Sequence, residues 1–373
     1  MALTTPLLAV GFGYYLRNGL LTRLLRSEAR LVDIEIVTCL LGGTSEFEAN
    51  VVPLFRSFGL APPRYVPRLA DALKAIGEFA DPAAAISTPT GLHFEHAAAC
   101  IDAGLDVYVE RPVVTPADDL PTLVEAADAS GLVLFTGNQR RVEPPFQYLH
   151  EVVVKRRHFG ELAAIRCTLA VGERLSGWRV DKALSGGGIV ADTGHHLLDC
   201  AAWIADGVGH RFPRGSTRYV GFGREPWMRT GGDPLETSAF GHLRSPRGLN
   251  LYFDLSYAVP IGSVYERLEM WDHQGTRVLV MRDQTVRSSQ PGLVTHQLGD
   301  GSIVSVGVDG TETPLSGRQI SRQSNVTGPI EGFLRLHRSS EASVDHPCSG
   351  AASVPSWELT KEIHEYVQGC SGA

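Results

Sequence analysis

Lysine is rare in this chain of 373 residues. Of its 34 basic residues only four are lysines, at positions 74, 155, 182 and 361, so the remaining 30 are arginines. Acidic residues are more numerous, with 41 aspartates and glutamates, and the formal net charge is −7 when the histidines are neutral. Nucleic-acid-binding proteins usually carry a basic face and a high isoelectric point. We therefore expect no nucleic-acid partner.

Cysteine and long apolar runs are also in short supply. The six cysteines lie far apart and form no C-x-x-C pair, so neither a zinc knuckle nor a redox pair is predicted. Isolated cysteines in a chain of this length are typical of reduced thiols in a cytoplasmic protein. No run of about 18 apolar residues occurs, and the N-terminus lacks the basic start of a signal peptide. The sequence thus predicts a cytoplasmic protein without membrane association.

The length and composition indicate two ordinary globular domains. A single hydrophobic core stops growing at roughly 250–300 residues, and this chain is longer. Its hydrophobic fraction of 43% and charged fraction of 20% are typical of globular proteins. The pattern of the sequence changes near residue 140, so we place the domains at 1–139 and 140–373.

Strand-like and helix-like segments alternate in the first domain. An apolar run at 6–13 ends in glycines, and leucines at helical spacing follow over 14–27. Further strand-like runs alternate with helical stretches up to residue 136. This alternation predicts an α/β domain built on a doubly wound parallel sheet.

Strand-like runs cluster in the second domain, with little helix between them. They lie at 162–171, 249–258, 265–281 and 302–308. Clustered strands predict an α+β domain with a mostly antiparallel sheet. Helices are predicted at about 186–205 and 355–368, and the polar segment 311–328 is predicted to be a mobile loop.

Two glycines close the first strand, in the sequence Gly11-Phe12-Gly13-Tyr14-Tyr15-Leu16. Glycines between a strand and a helix let the backbone approach a pyrophosphate, which then binds at the helix N-terminus. Leu16 stands where the dinucleotide-binding fingerprint has its third glycine. The motif predicts that residues 11–15 bind NAD or NADP, with a glycine turn of any α/β fold as the alternative.

The acid that grips the ribose hydroxyls of NAD is missing from its expected place. It normally lies about 20 residues after the glycines, at the end of the second strand. Asp33 and Glu35 lie at the start of that strand, which favours surface positions, and residues 39–44 contain no acid. The choice between NAD and NADP is therefore left open.

Further motifs follow in a fixed order. They are Ser87-Thr88-Pro89-Thr90-Gly91-Leu92-His93, Glu110-Arg111-Pro112, Trp178-Arg179-Val180-Asp181, Gly186-Gly187-Gly188 and Asp192-Thr193-Gly194-His195-His196. In order and spacing this set resembles the Gfo/Idh/MocA oxidoreductases, whose motifs are T-P-x-x-x-H, E-K-P, G-G-G and D-x-G-x-H. The resemblance covers nearly the whole chain and is tightest over 81–140 and 176–205.

The resemblance implies a fold, a cofactor and a class of substrate. Members of this family have an N-terminal Rossmann domain that binds NAD(H) or NADP(H) and a C-terminal domain with a large open sheet. Most oxidise or reduce a carbinol or ketone of a sugar or cyclitol. They often pair the open faces of their C-terminal sheets, so we expect a homo-oligomer, either a dimer or a tetramer. The expected protein is an NAD(P)-dependent dehydrogenase acting on CH–OH groups of a small-molecule substrate.

The resemblance assigns proton transfer to His196, the histidine of D-x-G-x-H, together with the E-K-P lysine. Asp192 precedes His196 by four residues, and on a helix these two side chains would share a face. Imidazole titrates near neutral pH, so we predict His196 as the acid/base, with Asp192 orienting the ring or contacting a substrate hydroxyl. The adjacent His195 would point about 100° away, which favours packing or a place at the edge of the substrate site.

Arginine replaces the family's catalytic lysine at position 111. A guanidinium cannot accept a proton, but it can donate hydrogen bonds to an oxyanion, carboxylate or phosphate. Three interpretations stay open. Arg111 is an electrostatic clamp while His196 alone moves protons; or the change follows the general use of arginine and only slows the chemistry; or the protein has lost redox activity or turned to other chemistry. Lys182 could replace the lysine in the substrate site, with a solvated surface lysine as the alternative.

The remaining candidate residues also come from the resemblance. Those expected beside the cofactor are Thr88, Pro89, His93, Glu110, Pro112, Asn138, Trp178 and Arg179. Arg140 would offer hydrogen-bond donors to the substrate, with a solvated linker as the alternative. The histidines and aspartates around residue 196 provide only one pair with usable geometry, so no metal site is predicted.

Two other functions stay open on the sequence alone. Leu16, the missing ribose acid and Arg111 would also fit a redox-inactive binding or regulatory protein on the same fold. A cofactor-assisted epimerase, lyase or hydrolase would use the same site without net redox change.

Overall fold

The computed structural model describes residues 4–13, 16–17, 32–157, 160–224, 235–273, 278–286, 297–298, 302–306, 311–314, 328–339 and 346–369. The chain divides into two compact units. The first unit comprises residues 1–139 and 325–352, and the second comprises residues 140–324 and 353–373.

Six parallel strands form the sheet of the first unit. They are β1 (Thr5–Val10), β2 (Val32–Thr38), β3 (Arg64–Tyr65), β4 (Ala83–Ile86), β5 (Asp106–Val109) and β6 (Leu134–Thr136). Their order in the sheet is β3-β2-β1-β4-β5-β6. The strand order reverses between β1 and β4, and open α/β sheets bind ligands at such a switch point. The prediction of a doubly wound parallel sheet is confirmed.

Helices connect these strands. In the first unit they are Gly43–Glu46, the π-helix Phe47–Val51, Val52–Ser57, Leu69–Ile76, the 3₁₀ turn Thr90–Leu92, His93–Asp102, Leu120–Ala129 and Gly328–Arg338. Parallel strands covered by helices on both faces carry apolar side chains throughout. Accordingly, every residue of β4 is buried.

Residues 325–352 return to the first unit, although the sequence-based division placed them in the second domain. Its attachment is extensive. The backbone N–H of Thr136, at the end of β6, donates to the carbonyl of Cys348 at 2.8 Å. Phe333 is fully buried and packs against the rings of Tyr108 and Phe135. The compact units thus divide the chain differently from the sequence-based boundary, because a chain that leaves a unit and returns to it carries no local signature.

Nine described strands form the sheet of the second unit. They are β7 (Leu162–Val171), β8 (Thr217–Gly223), β9 (Ser238–Arg244), β10 (Asn250–Ser256), β11 (Ser263–Asp272), β12 (Val278–Val286), β13 (Gln297–Leu298), β14 (Ser302–Val306) and β15 (Glu312–Pro314). Their order is β15-β14-β12-β11-β7-β10-β9-β8, and β13 pairs with β12. Among these described strands only β7 and β10 pair in parallel. The prediction of a mostly antiparallel sheet is confirmed.

Helices pack on one face of this second sheet. The described ones are Gln139–Val142 (3₁₀, with Gln139 in the first unit), Pro144–His150, Glu151–Lys155 (π), Gly177–Val180 (3₁₀), Lys182–Ser185, His195–Gly207 and Gly350–Gly369, whose first three residues belong to the first unit. Strand β7 shows the alternation that such packing requires, since Ile165, Cys167 and Leu169 are buried and Arg166 between them is exposed. The buried side chains of β7 share one core with Leu197 and Leu359 from two of the helices.

Several predicted elements differ in extent from those observed. The helix predicted over 14–27 lies outside the described residues, apart from 16–17. The run 265–281 overlaps two strands, β11 and β12, and the C-terminal helix begins at Gly350. The predicted loop 311–328 contains β15, and its residues 315–327 lie outside the described part. Within the described residues, no helix combines the length and apolar character needed to cross a membrane.

Candidate active site

The glycine turn lies at the carboxyl end of β1, beside the switch point of the first sheet. Gly11 has φ +80°, and its backbone N–H donates to the carbonyl of Thr38 at 2.8 Å. A Cβ atom at Gly11 would lie only 2.7 Å from Cγ2 of Thr88 and 2.8 Å from its backbone nitrogen. Only glycine combines this backbone conformation with this close approach. Glycine therefore lets this turn pack against the loop after β4, at the edge of the sheet where a dinucleotide pyrophosphate is expected to bind.

The rest of the glycine motif is partly described. The backbone N–H of Gly13 donates to Oγ of Ser87 at 3.3 Å, and a Cβ atom on Gly13 would meet the Ser87 carbonyl at 2.9 Å. Phe12 and Leu16 are buried, so the leucine in the place of the third glycine packs into the core. Tyr14 and Tyr15 lie outside the described residues.

The end of β2 carries a thiol where a ribose-binding acid would stand. Cys39 has φ +55° and accepts a hydrogen bond from the hydroxyl of Thr38 at 3.7 Å. Burial raises the pKa of the Cys39 thiol. The next acid along the chain, Glu46, accepts the backbone N–H of Gly42 at 2.8 Å. The structure thus agrees with the sequence that no carboxylate directly follows β2.

His93 joins two of the predicted cofactor-binding loops. Its ring nitrogens lie 2.8 Å from the carbonyl oxygen of Thr88 and 2.9 Å from that of Pro112. The side chain is almost fully buried, and burial lowers the pKa of His93 against the opposing effect of these carbonyl groups. A neutral imidazole donates only one N–H, so His93 hydrogen-bonds one of these carbonyls and contacts the other, and its ring lies between the Thr88–Pro89 loop and the Arg111–Pro112 turn.

Glu110 belongs to the same turn. Its carboxylate accepts hydrogen bonds from the hydroxyl of Tyr108 at 3.0 Å and from the backbone N–H of Arg111 at 3.3 Å. Desolvation raises the pKa of Glu110, although the charge of Arg111 acts in the opposite direction. The peptide bond between Arg111 and Pro112 is cis. Arg111 is half-buried and follows directly after β5.

The glycine run of the second unit forms a tight turn that a buried glutamate stabilises. Gly186 and Gly187 have φ values of +77° and +154°. The backbone N–H of Gly188 donates to the carboxylate of Glu236 at 3.0 Å, and that of Ile189 donates to the Glu236 carbonyl at 2.9 Å. Burial raises the pKa of Glu236, and its backbone donors act to lower it. Sequence reasoning missed Glu236, because 48 residues separate it from the run.

Asp192 lies in the turn that follows the glycine run, not on a helix. The helix predicted over 186–205 begins only at His195, so the argument that Asp192 and His196 share a helix face is wrong. The backbone N–H of Asp192 donates to the carbonyl of Gly188 at 3.0 Å. Gly186 and Gly187 cannot belong to the predicted helix, because their positive φ angles are incompatible with a right-handed helix.

Arg179 and Tyr257 hold the Asp192 carboxylate. Arg179 donates from Nη2 and Nε to Oδ2 of Asp192 at 2.5 and 3.0 Å, and from Nη1 to Glu173 at 2.6 Å. The hydroxyl of Tyr257 donates to the same Oδ2 at 2.9 Å. Arg179 was predicted to line the cofactor, and its guanidinium is engaged with these two carboxylates. Tyr257 follows the end of β10 and carries no motif that could have identified it.

The two histidines open the helix His195–Gly207. His196 is half-buried, and its backbone N–H donates to the carbonyl of Thr193 at 3.2 Å. His195 is buried beside Asp199 and acts electrostatically on that carboxylate. These positions agree with an accessible His196 and a packed His195, and their chemical roles stay predictions.

Arg140 and Lys182 were both predicted to bind the substrate. Both have partners within the second unit. Arg140 forms ion pairs of 2.9 Å with both Glu143 and Glu266, whose side chains are 1% exposed. Lys182 donates from Nζ to Gln368 at 2.8 Å. These contacts favour structural roles for both cations.

Asn138 and Trp178 are two further residues predicted to lie beside the cofactor. Asn138 is buried, and its carbonyl accepts the thiol of Cys348 at 3.5 Å. Trp178 is half-buried in the 3₁₀ turn Gly177–Val180. Across the described ranges, no group of three or more His, Cys, Asp or Glu side chains is arranged to hold a metal ion.

A Rossmann sheet with a glycine turn at its switch point, joined in one chain to an open mixed sheet, is typical of nicotinamide-dependent oxidoreductases. The family comparison makes the assignment specific. Residues 42–138 match the oxidoreductase family with an NAD-binding Rossmann fold, and residues 146–277 match the GFO/IDH/MocA C-terminal domain. The chain belongs to the Gfo/Idh/MocA family, as its motifs indicated.

Curated relatives align with part of the chain. The scyllo-inositol 2-dehydrogenase (NADP(+)) of Bacillus subtilis (strain 168) is 32% identical over 119 residues, which cover 31% of this chain and 32% of that protein. The D-glucoside 3-dehydrogenase of Escherichia coli (strain K12) is 29% identical over 193 residues, or 47% of this chain and 52% of that protein. This chain therefore spans only about a third to a half of the length of these relatives.

Solved structures resemble the whole chain. The aldose-aldose oxidoreductase of Caulobacter crescentus superposes with a TM-score of 0.73 over 98% of both chains, at 16% identity. A 3-ketoreductase of Actinomadura kijaniata gives a TM-score of 0.71 over 98% of both chains, at 15% identity. At these identities the likeness shows that the fold is shared.

Proposed function

We propose that this chain is an NAD(P)-dependent oxidoreductase that interconverts a carbinol and a ketone of a sugar or cyclitol. The observation that carries the proposal is the turn at Gly11, in a chain that belongs to the Gfo/Idh/MocA family. The names of the relatives, an inositol dehydrogenase and a glucoside dehydrogenase, support the class of substrate.

The first unit would bind the cofactor, which supplies the hydride acceptor or donor of the reaction. Gly11 and Gly13 let the turn lie against the loop at Ser87 and Thr88, because side chains there would meet those residues, and the turn held in this place would bind the pyrophosphate. His93 would keep the loops at Thr88 and Pro112 in a fixed relation, since its ring contacts the backbone of both.

The second unit would supply proton transfer. A ring nitrogen of His196 would take the hydroxyl proton as the carbinol is oxidised and return it in the reverse direction. Such a positioned acid/base contributes roughly 10²–10⁴ in rate. Asp192 would accept a hydrogen bond from the substrate, and Arg111 would donate hydrogen bonds to a developing or permanent negative charge.

Calorimetric titration of the purified chain with NAD⁺, NADP⁺, NADH and NADPH tests the first requirement of this proposal. We expect a binding isotherm with one site per chain for at least one of these cofactors. If none of the four produces heat or a change in protein fluorescence, the proposed function is contradicted. Binding without turnover would favour the redox-inactive alternative, which Arg111 in the lysine position also supports.

We further propose that the chain forms a homo-oligomer through the open face of its second sheet. Three large aromatic residues are exposed on strands of this sheet, namely Tyr219 (49%), Phe240 (51%) and Tyr265 (36%). Next to them Arg166 lies between the rings of Tyr252 and Trp271, at 5.7 and 5.4 Å. Aromatic residues and arginine are enriched at protein interfaces, and a second copy of the chain would bury this face.

The mass of the chain in solution tests this assembly. We expect Phe240→Glu to reduce the mass measured by light scattering to that of one chain. Tyr366→Glu provides the control, because Tyr366 is also exposed but lies on the C-terminal helix. A wild-type protein that is already a monomer would contradict the proposal.

A further inference from the structure

Within the described part of the chain, the hydrogen bonds to the Asp192 side chain converge on one of its two oxygens. Arg179 donates two bonds to Oδ2, and Tyr257 donates a third. Within the described residues, Oδ1 of Asp192 has no hydrogen-bond partner. The side chain is 15% exposed, so it is not sealed in the core.

The hydroxyl groups of Thr193 and Tyr257 form a chain of hydrogen bonds in which the donor of each bond can be assigned. Nη2 of Arg179 donates to Oγ1 of Thr193 at 3.3 Å, and Thr193 Oγ1 lies 2.7 Å from the hydroxyl of Tyr257. Because Tyr257 gives its own proton to Asp192, Thr193 must donate to Tyr257. Burial, followed by the charge of Asp192, raises the pKa of Tyr257 well above its ordinary value, so this hydroxyl stays a donor.

We infer that Tyr257 is a positioning residue, which with Arg179 saturates Oδ2 of Asp192 and leaves Oδ1 as the acceptor for a substrate hydroxyl. The inference rests on the proposed function and adds to it a residue outside the family motifs. It also gives Asp192 a defined role, since a carboxylate held in this way presents one oxygen in a fixed direction.

The geometry of arginine explains why Tyr257 is needed. A guanidinium fork prefers to pair bidentately, with one N–H on each carboxylate oxygen. Here Nε and Nη2 of Arg179 both donate to Oδ2 of Asp192 instead. The bond from Tyr257 to that oxygen holds the carboxylate in this orientation. Without it, Arg179 would engage both oxygens, and Oδ1 would be lost to the substrate.

Kinetics of Tyr257→Phe test this role on the polyol that the wild-type protein turns over fastest among myo-inositol, scyllo-inositol and D-glucose. We expect kcat/KM to fall about 10- to 100-fold, the value of a hydrogen bond to a charged group, with cofactor affinity unchanged. Tyr366→Phe is the matched control, because Tyr366 is 36% exposed and we expect no loss there.

A double-mutant cycle separates positioning from general structural support. In the Asp192→Asn background, Tyr257→Phe should cause no further loss of kcat/KM, because both changes remove the same function. Losses that multiply independently, or a Tyr257→Phe protein with wild-type kinetics, would overturn the inference.

Crystal structures of the wild type and Tyr257→Phe give a second readout that needs no substrate. We expect Arg179 in the variant to reach both oxygens of Asp192, with Oδ1 within about 3 Å of the guanidinium. An unmoved carboxylate would overturn the inference even if no polyol is oxidised. Absence of turnover in the wild type would instead count against the proposed function alone.

Discussion

Nδ1 of His337 lies 2.7 Å from Oδ2 of Asp106 within the first unit, and the histidine side chain is 2% exposed. This ion pair attaches the returning helix Gly328–Arg338 to β5. Burial acts to lower the pKa of His337, but the hydrogen bond and charge of Asp106, with the charge of Asp81, outweigh it and raise the pKa. The imidazolium form is therefore the one that the folded unit favours.

Stability of the first unit should accordingly depend on pH through His337. A histidine whose pKa is raised by folding contributes its full stabilisation at pH values below its pKa in the unfolded chain. This contribution to the free energy of unfolding is lost as the pH rises through its folded pKa. We expect His337→Gln to lower the free energy of unfolding by about 1–3 kcal/mol at about pH 5, and by clearly less at about pH 8.5. Urea unfolding at both pH values measures this difference. An equal cost at the two pH values would contradict the account.

We expect Gly11→Ala to abolish cofactor binding while the protein still folds. Gly11 and Gly104 have similar φ angles of +80° and +78°, so alanine strains both, by about 1 kcal/mol. Only Gly11 has close neighbours, because a Cβ atom at Gly104 meets nothing within 4 Å. We therefore expect Gly104→Ala to keep the calorimetric affinity for NAD(P) and Gly11→Ala to lose it. Equal affinities in the two variants would remove the turn from the cofactor site.

The buried ion pair Arg141–Asp199 should stabilise the second unit through the interaction between its two side chains. Arg141 donates to Asp199 at 2.6 and 2.9 Å, and both side chains are almost inaccessible. Burial acts to raise the pKa of Asp199, but Arg141 outweighs it and lowers the pKa. Asp199→Asn should cost about 3–5 kcal/mol at neutral pH, because it leaves the guanidinium buried without its counter-charge.

The pH dependence of unfolding tests the direction of the pKa shift of Asp199. A carboxylate whose pKa is lower in the folded protein than in the unfolded chain stabilises the fold at pH values above its unfolded pKa. This contribution is lost as the pH falls through its folded pKa. The cost of Asp199→Asn, measured by urea unfolding, should thus shrink toward low pH. The double variant Arg141→Met/Asp199→Asn should cost less than the sum of the single variants. Strict additivity would show that the pair is not coupled.

Arg111→Lys should alter the pH profile of the reaction. A guanidinium does not titrate in the working range, whereas a lysine amine can exchange a proton with the substrate. We expect the pH profile of kcat/KM for alcohol oxidation to show a second ionisation in the variant, at higher pH than the ionisation attributed to His196. Profiles of the wild type and the variant on the same polyol provide the measurement. An unchanged profile would show that residue 111 takes no direct part in proton transfer.

The sequence predicted those features that local patterns encode. Apolar runs ending in glycines identified β1 and its turn, and the strand predicted at 162–171 coincides with β7. Contacts between residues that lie far apart in the sequence were not predicted. Tyr257 reaches Asp192 across 65 residues, and Glu236 reaches Gly188 across 48. The helix predicted from residue 186 begins only at His195, and the positive φ angles of Gly186 and Gly187 exclude these two glycines from it.

We expect hydride transfer with the cofactor to be coupled to proton transfer at His196. The most direct test of this coupling follows the absorbance of reduced nicotinamide when the wild type and His196→Ala are mixed with NAD⁺ or NADP⁺ and a panel of inositols and aldoses. We expect the wild type to reduce at least one cofactor with at least one polyol, and His196→Ala to lose roughly 10²–10⁴ of that rate while it still binds the cofactor. A wild type that binds cofactor but reduces none with any polyol, or a His196→Ala protein with an unchanged rate, would contradict the account.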